Sequence, residues 1–294
     1  MMSADAHGRS ERSKRHDDPE RRPIILIVNA DDYGADAEIS AGIRDAHARG
    51  IVTSTSAMMN MPRVCEELDR ARRDCPDLGL GVHLNFSEGE PLVAPADVPS
   101  LVTPAGKFRP PGRALFTADP RELALEFQAQ VDRFVTTAGR PTHLDCHHHL
   151  ACLIPRYFEV LAGLGRTWSV PVRLFADAES RERAAPGLGG FHEEVLRVHS
   201  RLPTARVDRV ETRFYSDGPD RTPWFAIAGH LRDGITEWVC HPGLKGARPD
   251  GRGARLDRRR EWQSLTDPVL RRALERQGAR LASFAIFSND LPSS

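Results

Sequence analysis

The chain alternates short apolar runs with longer amphipathic stretches, and this alternation limits the folds that it can adopt. Apolar runs at residues 24–30, 51–59 and 78–84 are separated by helical patterns at 37–50 and 64–74. A continuous apolar run is typical of a strand that is buried on both faces, and strands that alternate with helices are typical of a parallel sheet. This part of the chain therefore predicts a βαβαβ unit.

The same alternation continues towards the end of the chain. It predicts further strands at 142–146, 170–174, 235–240 and 282–287. It predicts further helices at 120–138, 154–164, 193–199, 224–233 and 257–278. About seven strands that alternate with helices indicate an α/β fold, and our first choice is a distorted, incomplete (β/α) barrel, similar to a TIM barrel. A doubly wound open sheet is the second choice.

The domain organisation follows from the chain length and from three irregular stretches. A chain of 294 residues has room for one large domain or two small ones. Residues 1–22 carry almost no apolar side chain and predict a disordered N-terminal tail. We expect one catalytic domain over residues 23–294, with loop insertions near 87–119 and 175–225. Long loops inside compact domains are usually functional, so the first insertion is interpreted as a loop over the barrel mouth.

Composition excludes several classes of partner. Lys and Arg together number 41, as do Asp and Glu, so net charge favours neither nucleic acid nor an anionic membrane. The chain has no apolar stretch of the roughly 20 residues that span a bilayer and no signal-peptide core, so a cytoplasmic location is expected. The five cysteines contain no CxxC pair, which argues against a disulfide framework or a structural zinc site. The oligomeric state is left open, with a homodimer as one option.

Polar side chains collect where the apolar runs end. They are Asp31, Asp32, His83, Asn85, Asp145, His147, His148, His149, Arg173 and His241. In a parallel barrel all strand ends of this kind meet at one face, where active sites form. Each motif alone also has an ordinary explanation, since Asp-Asp-x-Gly is common turn chemistry and a histidine run can be a solvated loop. Four independent strand ends that carry such groups are hard to attribute to turns alone, and together they favour a functional site.

A carboxylate and two imidazoles from separate strands suit a divalent metal that keeps positions open for water and substrate. The metal would acidify a water molecule and polarise a carbonyl group. A second carboxylate could then act as general base and a further histidine as general acid. The adjacent Asp31 and Asp32 point in different directions, and Gly34 lets the chain bend so that both face the same cavity.

Four stretches resemble the motifs of the YdjC-like carbohydrate deacetylases, a family that includes the chitooligosaccharide deacetylases. They are Val-Asn-Ala-Asp-Asp-Tyr-Gly at 28–34, Gly-Leu-Gly-Val-His-Leu-Asn-Phe-Ser-Glu-Gly at 79–89, Pro-Thr-His-Leu-Asp-Cys-His-His-His at 141–149, and Val-Cys-His-Pro-Gly at 239–243. Residues 53–60 and 122–130 fit the family as well. The resemblance runs in matching order from about residue 24 to 286.

The resemblance implies a (β/α)-barrel-like fold and the metal-dependent removal of N-acetyl groups from a sugar. On the family pattern, Asp32, His83 and His147 hold the metal, which is usually magnesium. Asp31 is then the base that activates water, and His241 is the candidate acid. Arg173 and Asn85 are the expected substrate-binding residues. Zinc, manganese or cobalt would also suit one carboxylate and two histidines.

Three departures from the family pattern leave the sugar and its length undetermined. Ala151 stands where the family often has another histidine, Cys146 replaces a common serine, and residues 175–225 match no motif. The expected substrate is an N-acetylated sugar or short oligosaccharide. The alternatives are another metal-dependent amidohydrolase or esterase, and a barrel that binds sugar without turnover.

Overall fold

The computed structural model describes residues 22–112, 116–184, 189–213, 222–247 and 257–289. The predicted tail, apart from Arg22, lies outside the described residues. So do parts of the two predicted insertions, namely residues 113–115, 185–188 and 214–221. Both insertions and the single catalytic domain therefore stay predictions.

The strands form one parallel sheet with β1 at its centre. The sheet comprises β1 (Ile24–Tyr33), β2 (Ser54–Ala57), β3 (Gly79–Leu84), β4 (Leu144–Cys146), β5 (Arg209–Glu211), β6 (Gly234–Cys240) and β7 (Arg280–Leu281). Their order is β4-β3-β2-β1-β6-β5, and β7 pairs with the first residues of β1. Residues 25–33 of β1 are all buried, as its apolar run predicts. The predicted α/β fold is confirmed.

Helices connect these strands and cover the sheet. They are α1 (Ala37–Arg49), α2 (Val64–Asp74), α3 (Pro120–Ala138), α4 (Leu150–Leu153), α5 (Pro155–Trp168), α6 (Ala178–Ala184), α7 (His192–Arg201), α8 (Thr222–Ala228), α9 (Arg258–Leu265) and α10 (Pro268–Arg276). Asp36, Asp119 and Asp267 cap α1, α3 and α10, because each carboxylate accepts a hydrogen bond from a backbone N–H of the first turn. Among the described helices, none is long and apolar enough to cross a membrane.

The sheet is curled, because side chains from distant places in the strand order meet inside it. Val172 makes a single parallel bridge to Leu144, so residues 170–174 lie beyond β4 at one end of the sheet. Arg173 in this segment nevertheless donates to Glu237 on β6, with Nε 2.9 Å from Oε1. Four strands separate these residues in the strand order. The contact crosses the interior of an incomplete barrel, as the sequence predicts.

Two predicted strands differ from the structure. Residues 170–174 pair only at Val172, because Pro171 has no N–H to continue a ladder. The predicted strand at 282–287 is a short 3₁₀ helix, Phe284–Asn289, and the strand precedes it at Arg280–Leu281. The strand β5 was not predicted, because three residues give too short a pattern.

The predicted helix at 257–278 is two helices. It breaks between Leu265 and Pro268, where proline removes a backbone donor and the preceding Asp267 caps the next helix. The insertion after β3 is folded against α3. Glu126 on α3 accepts hydrogen bonds from the backbone N–H groups of Leu92 and Val93. This contact anchors the start of the loop beside the carboxyl end of β3.

Candidate active site

A β-bulge at the end of β1 directs two adjacent carboxylates into the barrel. Ala30 pairs with Thr55 and Tyr33 with Ala57, so three steps along β1 match two along β2. The extra residue falls at Asp31 and Asp32, and Asp32 has a left-handed backbone with φ of 71°. Bulges change the direction of side chains, and both carboxylates are buried. The bend that Gly34 was expected to provide thus begins at Asp32.

Asp32, His83 and His147 meet at the carboxyl ends of β1, β3 and β4. Asp32 Oδ1 lies 3.3 Å from His83 Nε2 and 3.1 Å from His147 Nδ1. The two imidazole nitrogens are 3.2 Å apart. Three residues from three strands therefore point one atom each at a common position.

The spacing of this triangle fits a metal ion. A metal about 2.1 Å from each ligand places two ligand atoms about 3.0 Å apart at right angles and about 3.4 Å apart at tetrahedral angles. The three observed distances, 3.1, 3.2 and 3.3 Å, fall between these values. One carboxylate and two imidazoles are also an accepted ligand set for several divalent metals. The residues therefore fit the expected cofactor, and no feature of the triangle selects among the metals.

Each of the three residues is held by a partner on its other polar atom. His83 Nδ1 lies 2.7 Å from Asp145 Oδ1, and His147 Nε2 lies 3.2 Å from Glu88 Oε2. A neutral imidazole that donates from one nitrogen keeps a lone pair on the other, so both lone pairs face the triangle. Arg258 donates to Asp32 Oδ2 at 2.6 Å and leaves Oδ1 to the triangle.

The electrostatic surroundings of the triangle favour a cation. Burial lowers the pKa of His83, but the negative charges of Asp145 and Asp31 outweigh it and raise the pKa to about 10. The same negative charges would also attract a metal ion to this place.

Asp31 lies beside the triangle, 4.0 Å from His83 Nδ1, and is held by Arg173. The guanidinium donates from Nη1 to Asp31 Oδ2 at 2.7 Å and from Nη2 to Oδ1 at 2.8 Å. Burial alone would raise the pKa of Asp31, but the charge of Arg173 outweighs burial and holds this pKa well below its usual range. Asp31 is therefore an ionised carboxylate, and Arg173 fixes its orientation.

His241 follows β6 and faces Asp31. Its Nε2 lies 3.9 Å from Asp31 Oδ2, and its backbone N–H donates to Glu261 Oε2 at 2.6 Å. The side chain is buried. The structure therefore brings together the predicted base, the predicted acid and the three predicted metal ligands, and their roles stay predictions.

Arg173 and Asn85, the predicted substrate-binding residues, are both occupied by protein contacts. Arg173 also lies 2.7 Å from Asp145 and from Glu237, so one guanidinium faces three carboxylates when Asp31 is included. Asn85 is fully buried and lies in a turn after β3. Contact of either residue with substrate stays a prediction.

Two further histidines of the run 147–149 have an uncommon backbone. His148 has φ of 56° and His149 has φ of 58°, both in the left-handed region. His148 Nδ1 lies 3.0 Å from Ser87 Oγ, and the ring of His149 stands edge-on to Phe175. A left-handed backbone is unfavourable for residues other than glycine, and such residues cluster at functional sites. Of the four in the described part of the chain, three lie at this site, namely Asp32, His148 and His149.

The structure adds residues to the site that the sequence did not assign. Glu88, Asn29 and Ser56 lie within the stretches quoted for the family, which was a usable signal. Asn29 Nδ2 donates to Asp31 Oδ1 at 2.8 Å, and Ser56 Oγ donates to Asp145 Oδ2 at 2.9 Å. Glu237 was detectable as a lone acidic residue in the apolar run of β6. Nothing in the local sequence distinguishes Arg258 from its neighbours, because it lies in an arginine-rich stretch.

A cavity of about 790 Å³ lies elsewhere, between α6, β5 and α8. Thr236 and Trp238 line it, whereas Glu237 between them points into the barrel towards Arg173. Because successive side chains of a strand point to opposite faces, this cavity is on the outer face of the sheet. It includes none of the predicted site residues.

Two curated relatives are similar to this chain over nearly their whole length. A carbohydrate deacetylase of Geobacillus stearothermophilus is 35% identical over 268 residues, or 90% of this chain and 98% of that protein. A chitooligosaccharide deacetylase of Yersinia pestis is 30% identical over 271 residues, or 88% of this chain and 98% of that protein.

A solved structure from Enterococcus faecalis, named as a cellobiose-phosphate cleavage protein, is 27% identical with a TM-score of 0.79. The match covers 90% of this chain and 98% of that chain. The family model described as YdjC-like protein matches residues 25–276. The chain belongs to the family of YdjC-like proteins.

Proposed function

We propose that the protein is a divalent-metal-dependent hydrolase that removes N-acetyl groups from an acetylated sugar or short oligosaccharide. The observation that carries this proposal is the triangle of Asp32, His83 and His147 beside a separately held carboxylate, Asp31. The relatives named as carbohydrate and chitooligosaccharide deacetylases support the choice of substrate.

The reaction is the hydrolysis of an amide. The oxygen of water forms a bond to the acetyl carbonyl carbon, the bond from that carbon to nitrogen breaks, and acetate and a free amine leave. A bound divalent metal supplies the polarisation of the carbonyl and the acidification of water. Asp32, His83 and His147 are the residues that would hold it.

The protein's own residues move the protons. Asp31 accepts a proton from the attacking water at its carboxylate, and Arg173 keeps this carboxylate ionised and oriented. His241, whose Nε2 lies 3.9 Å from Asp31 Oδ2, donates a proton to the departing nitrogen. Because all three side chains are buried, they exclude bulk water from the reacting groups.

The test combines acetate release with metal binding. Acetate release is measured on N-acetylglucosamine oligomers with added magnesium, zinc, manganese or cobalt, and metal affinity is measured by calorimetry. Asp31→Asn should lower turnover by about 100-fold or more while metal affinity is kept, whereas Asp32→Asn should abolish metal binding. Asp69→Asn, an exposed carboxylate on α2, is the matched control and should change neither quantity.

Three outcomes would revise the proposal. Normal turnover by a metal-loaded Asp31→Asn variant would reject Asp31 as the base. Products other than acetate from a wider panel of amides and esters would indicate a different hydrolase of the same site. Acetate release that stays at background with every metal would indicate a protein that binds sugar without turnover. Magnesium as the resident metal, a cytoplasmic location and a homodimer stay predictions.

A further inference from the structure

A four-residue turn after β3, Asn85–Glu88, lies against the histidine run. Glu88 Oε2 is 3.2 Å from His147 Nε2, and Ser87 Oγ is 3.0 Å from His148 Nδ1. His148 has a left-handed backbone, which is unfavourable without surrounding support. The 85–88 turn therefore contacts two imidazoles of the run, and one of them belongs to the metal triangle.

Asn85 holds this turn in shape with both ends of its amide. Its Oδ1 accepts from the backbone N–H of Ser87 at 3.0 Å and of Glu88 at 3.2 Å. Its Nδ2 donates to the backbone oxygen of Glu88 at 2.7 Å and to Asn60 Oδ1 at 2.9 Å. Asn60 Nδ2 donates to the same oxygen of Glu88 at 2.8 Å. The position of Glu88 is thus fixed by two buried or partly buried amides.

Glu88 differs in exposure from the groups that hold the other two ligands. The side chains of Asp145, which contacts His83, and of Arg258, which contacts Asp32, are 0% and 6% exposed. The side chain of Glu88 is 31% exposed. The partners of His83 and Asp32 are therefore enclosed by the protein, whereas the side chain of Glu88 is partly open to solvent and its backbone oxygen is held by the amides of Asn85 and Asn60.

We propose that Glu88 is a positioning residue for His147 and that Asn85 acts through it. The carboxylate of Glu88 accepts a hydrogen bond from the Nε2–H of His147, which leaves the lone pair of Nδ1 aimed at the triangle, 3.1 Å from Asp32 Oδ1. Asn85 sets where the carboxylate of Glu88 lies. This inference rests on the metal site of the proposed function, and it is independent of which sugar the protein deacetylates. Loss of such a partner typically weakens metal affinity about 10- to 100-fold.

The test measures the affinity for Mn²⁺ and Mg²⁺ by calorimetry and by the electron paramagnetic resonance of Mn²⁺, without substrate. Glu88→Ala should weaken the affinity about 10- to 100-fold. Glu88→Gln should stay within about threefold, because the amide oxygen can accept the same hydrogen bond. Glu90→Ala, an exposed glutamate two residues away, is the matched control and should bind metal normally.

Nitrogen NMR of the histidine rings provides a second readout, which general loosening of the fold would not produce. In Glu88→Gln the proton of His147 should stay on Nε2, and in Glu88→Ala it should be shared between the two nitrogens. Asn85→Ala should behave like Glu88→Ala in metal affinity, with an unchanged circular dichroism spectrum.

Four other outcomes would overturn the inference, and the measurements distinguish them. If Glu88→Ala binds metal as tightly as the unmodified protein, Glu88 is not a positioning residue, and the proposed function is unaffected. An equal loss in Glu88→Gln and Glu88→Ala shows that the charge matters and rejects the role of hydrogen-bond acceptor. A higher KM for sugar with unchanged metal affinity makes Glu88 a substrate contact instead. If the unmodified protein binds no divalent metal, the metal site of the proposed function fails and this inference fails with it.

Discussion

Arg173 and Asp31 form a two-pronged ion pair across the interior of the barrel, with both carboxylate oxygens within 2.8 Å of the guanidinium. The pair joins a segment beyond β4 to the end of β1, at the centre of the sheet. The orientation of the proposed base, Asp31, therefore depends on how the sheet curls. Lysine could supply the charge of Arg173 but not its planar, two-pronged geometry.

Arg173→Lys should lower kcat about 100-fold and should weaken metal affinity far less than Asp32→Asn does. Asp31 would stay ionised beside the ammonium group but would no longer be fixed in direction, and a misplacement of about 1 Å can cost about 100-fold in rate. Steady-state kinetics of acetate release and metal calorimetry on the same preparation check this. Arg272→Lys, an exposed arginine on α10, is the control. A normal kcat in Arg173→Lys would show that only the charge is needed.

Arg258→Met should destabilise the metal-free protein by about 3–5 kcal/mol. Arg258 and Asp32 are both nearly buried and 2.6 Å apart, and loss of one partner of a buried ion pair is strongly destabilising. The measurement is the free energy of unfolding from urea denaturation in the presence of a chelator. Arg260→Met, in which the lost arginine is half exposed on the same helix, should change it by no more than about 1 kcal/mol. Equal effects of the two variants would contradict the role of the buried pair.

The architecture was predictable from the sequence because its elements are long or strongly patterned. The ten-residue β1 is buried continuously and the helix α3 is buried at helical spacing, and a single sequence reveals both patterns. The three-residue β5 and the single bridge at Val172 do not, since their pairing depends on where the curled sheet brings them. Short elements of this kind are set by tertiary contacts rather than by local preference.

Residues of the site were predictable where they lie at the end of a strand. His83 and His147 follow apolar runs, and parallel strand ends converge whatever the loops do. The contact between Arg258 and Asp32 joins positions 226 residues apart and follows from no local pattern. The bulge at Asp32 was hidden for another reason: aspartate tolerates a left-handed backbone, so no glycine marks the position.

Gly81→Ala should destabilise the protein by about 1–3 kcal/mol, as overpacking of a core typically does. A Cβ at Gly81 would collide with the ring of His143, which is buried and stacked on Phe284. Gly163→Ala is the matched control. A Cβ there meets nothing within 4 Å, and the change should stabilise helix α5 by about 0.5–1 kcal/mol. Thermal unfolding of both variants decides whether the close approach at Gly81 is as tight as the structure shows.

His143 should make the protein sensitive to acid. It is 1% exposed, its Nε2 has no hydrogen-bond partner among the described residues, and burial lowers its pKa to about 4. An unfolded histidine has a pKa of about 6.5, so below that pH the unfolded chain binds a proton that the folded protein refuses. The stability that His143 contributes is therefore complete above about pH 6.5, and it falls as the pH drops towards 4.

His143→Phe should remove this part of the pH dependence while it keeps an aromatic ring against Phe284. The free energy of unfolding is measured by urea denaturation between pH 7 and pH 4.5, and the slope against pH is compared with that of the unmodified protein. For each unit by which the pH falls, the free energy of unfolding of the variant should drop by up to about 1.4 kcal/mol less than that of the unmodified protein. This difference corresponds to one proton. His230→Phe, in which an exposed histidine is replaced, should keep the original slope. Since the carboxylates of the site titrate in all three proteins, their contribution cancels, and equal slopes would mean that His143 is protonated in the folded state.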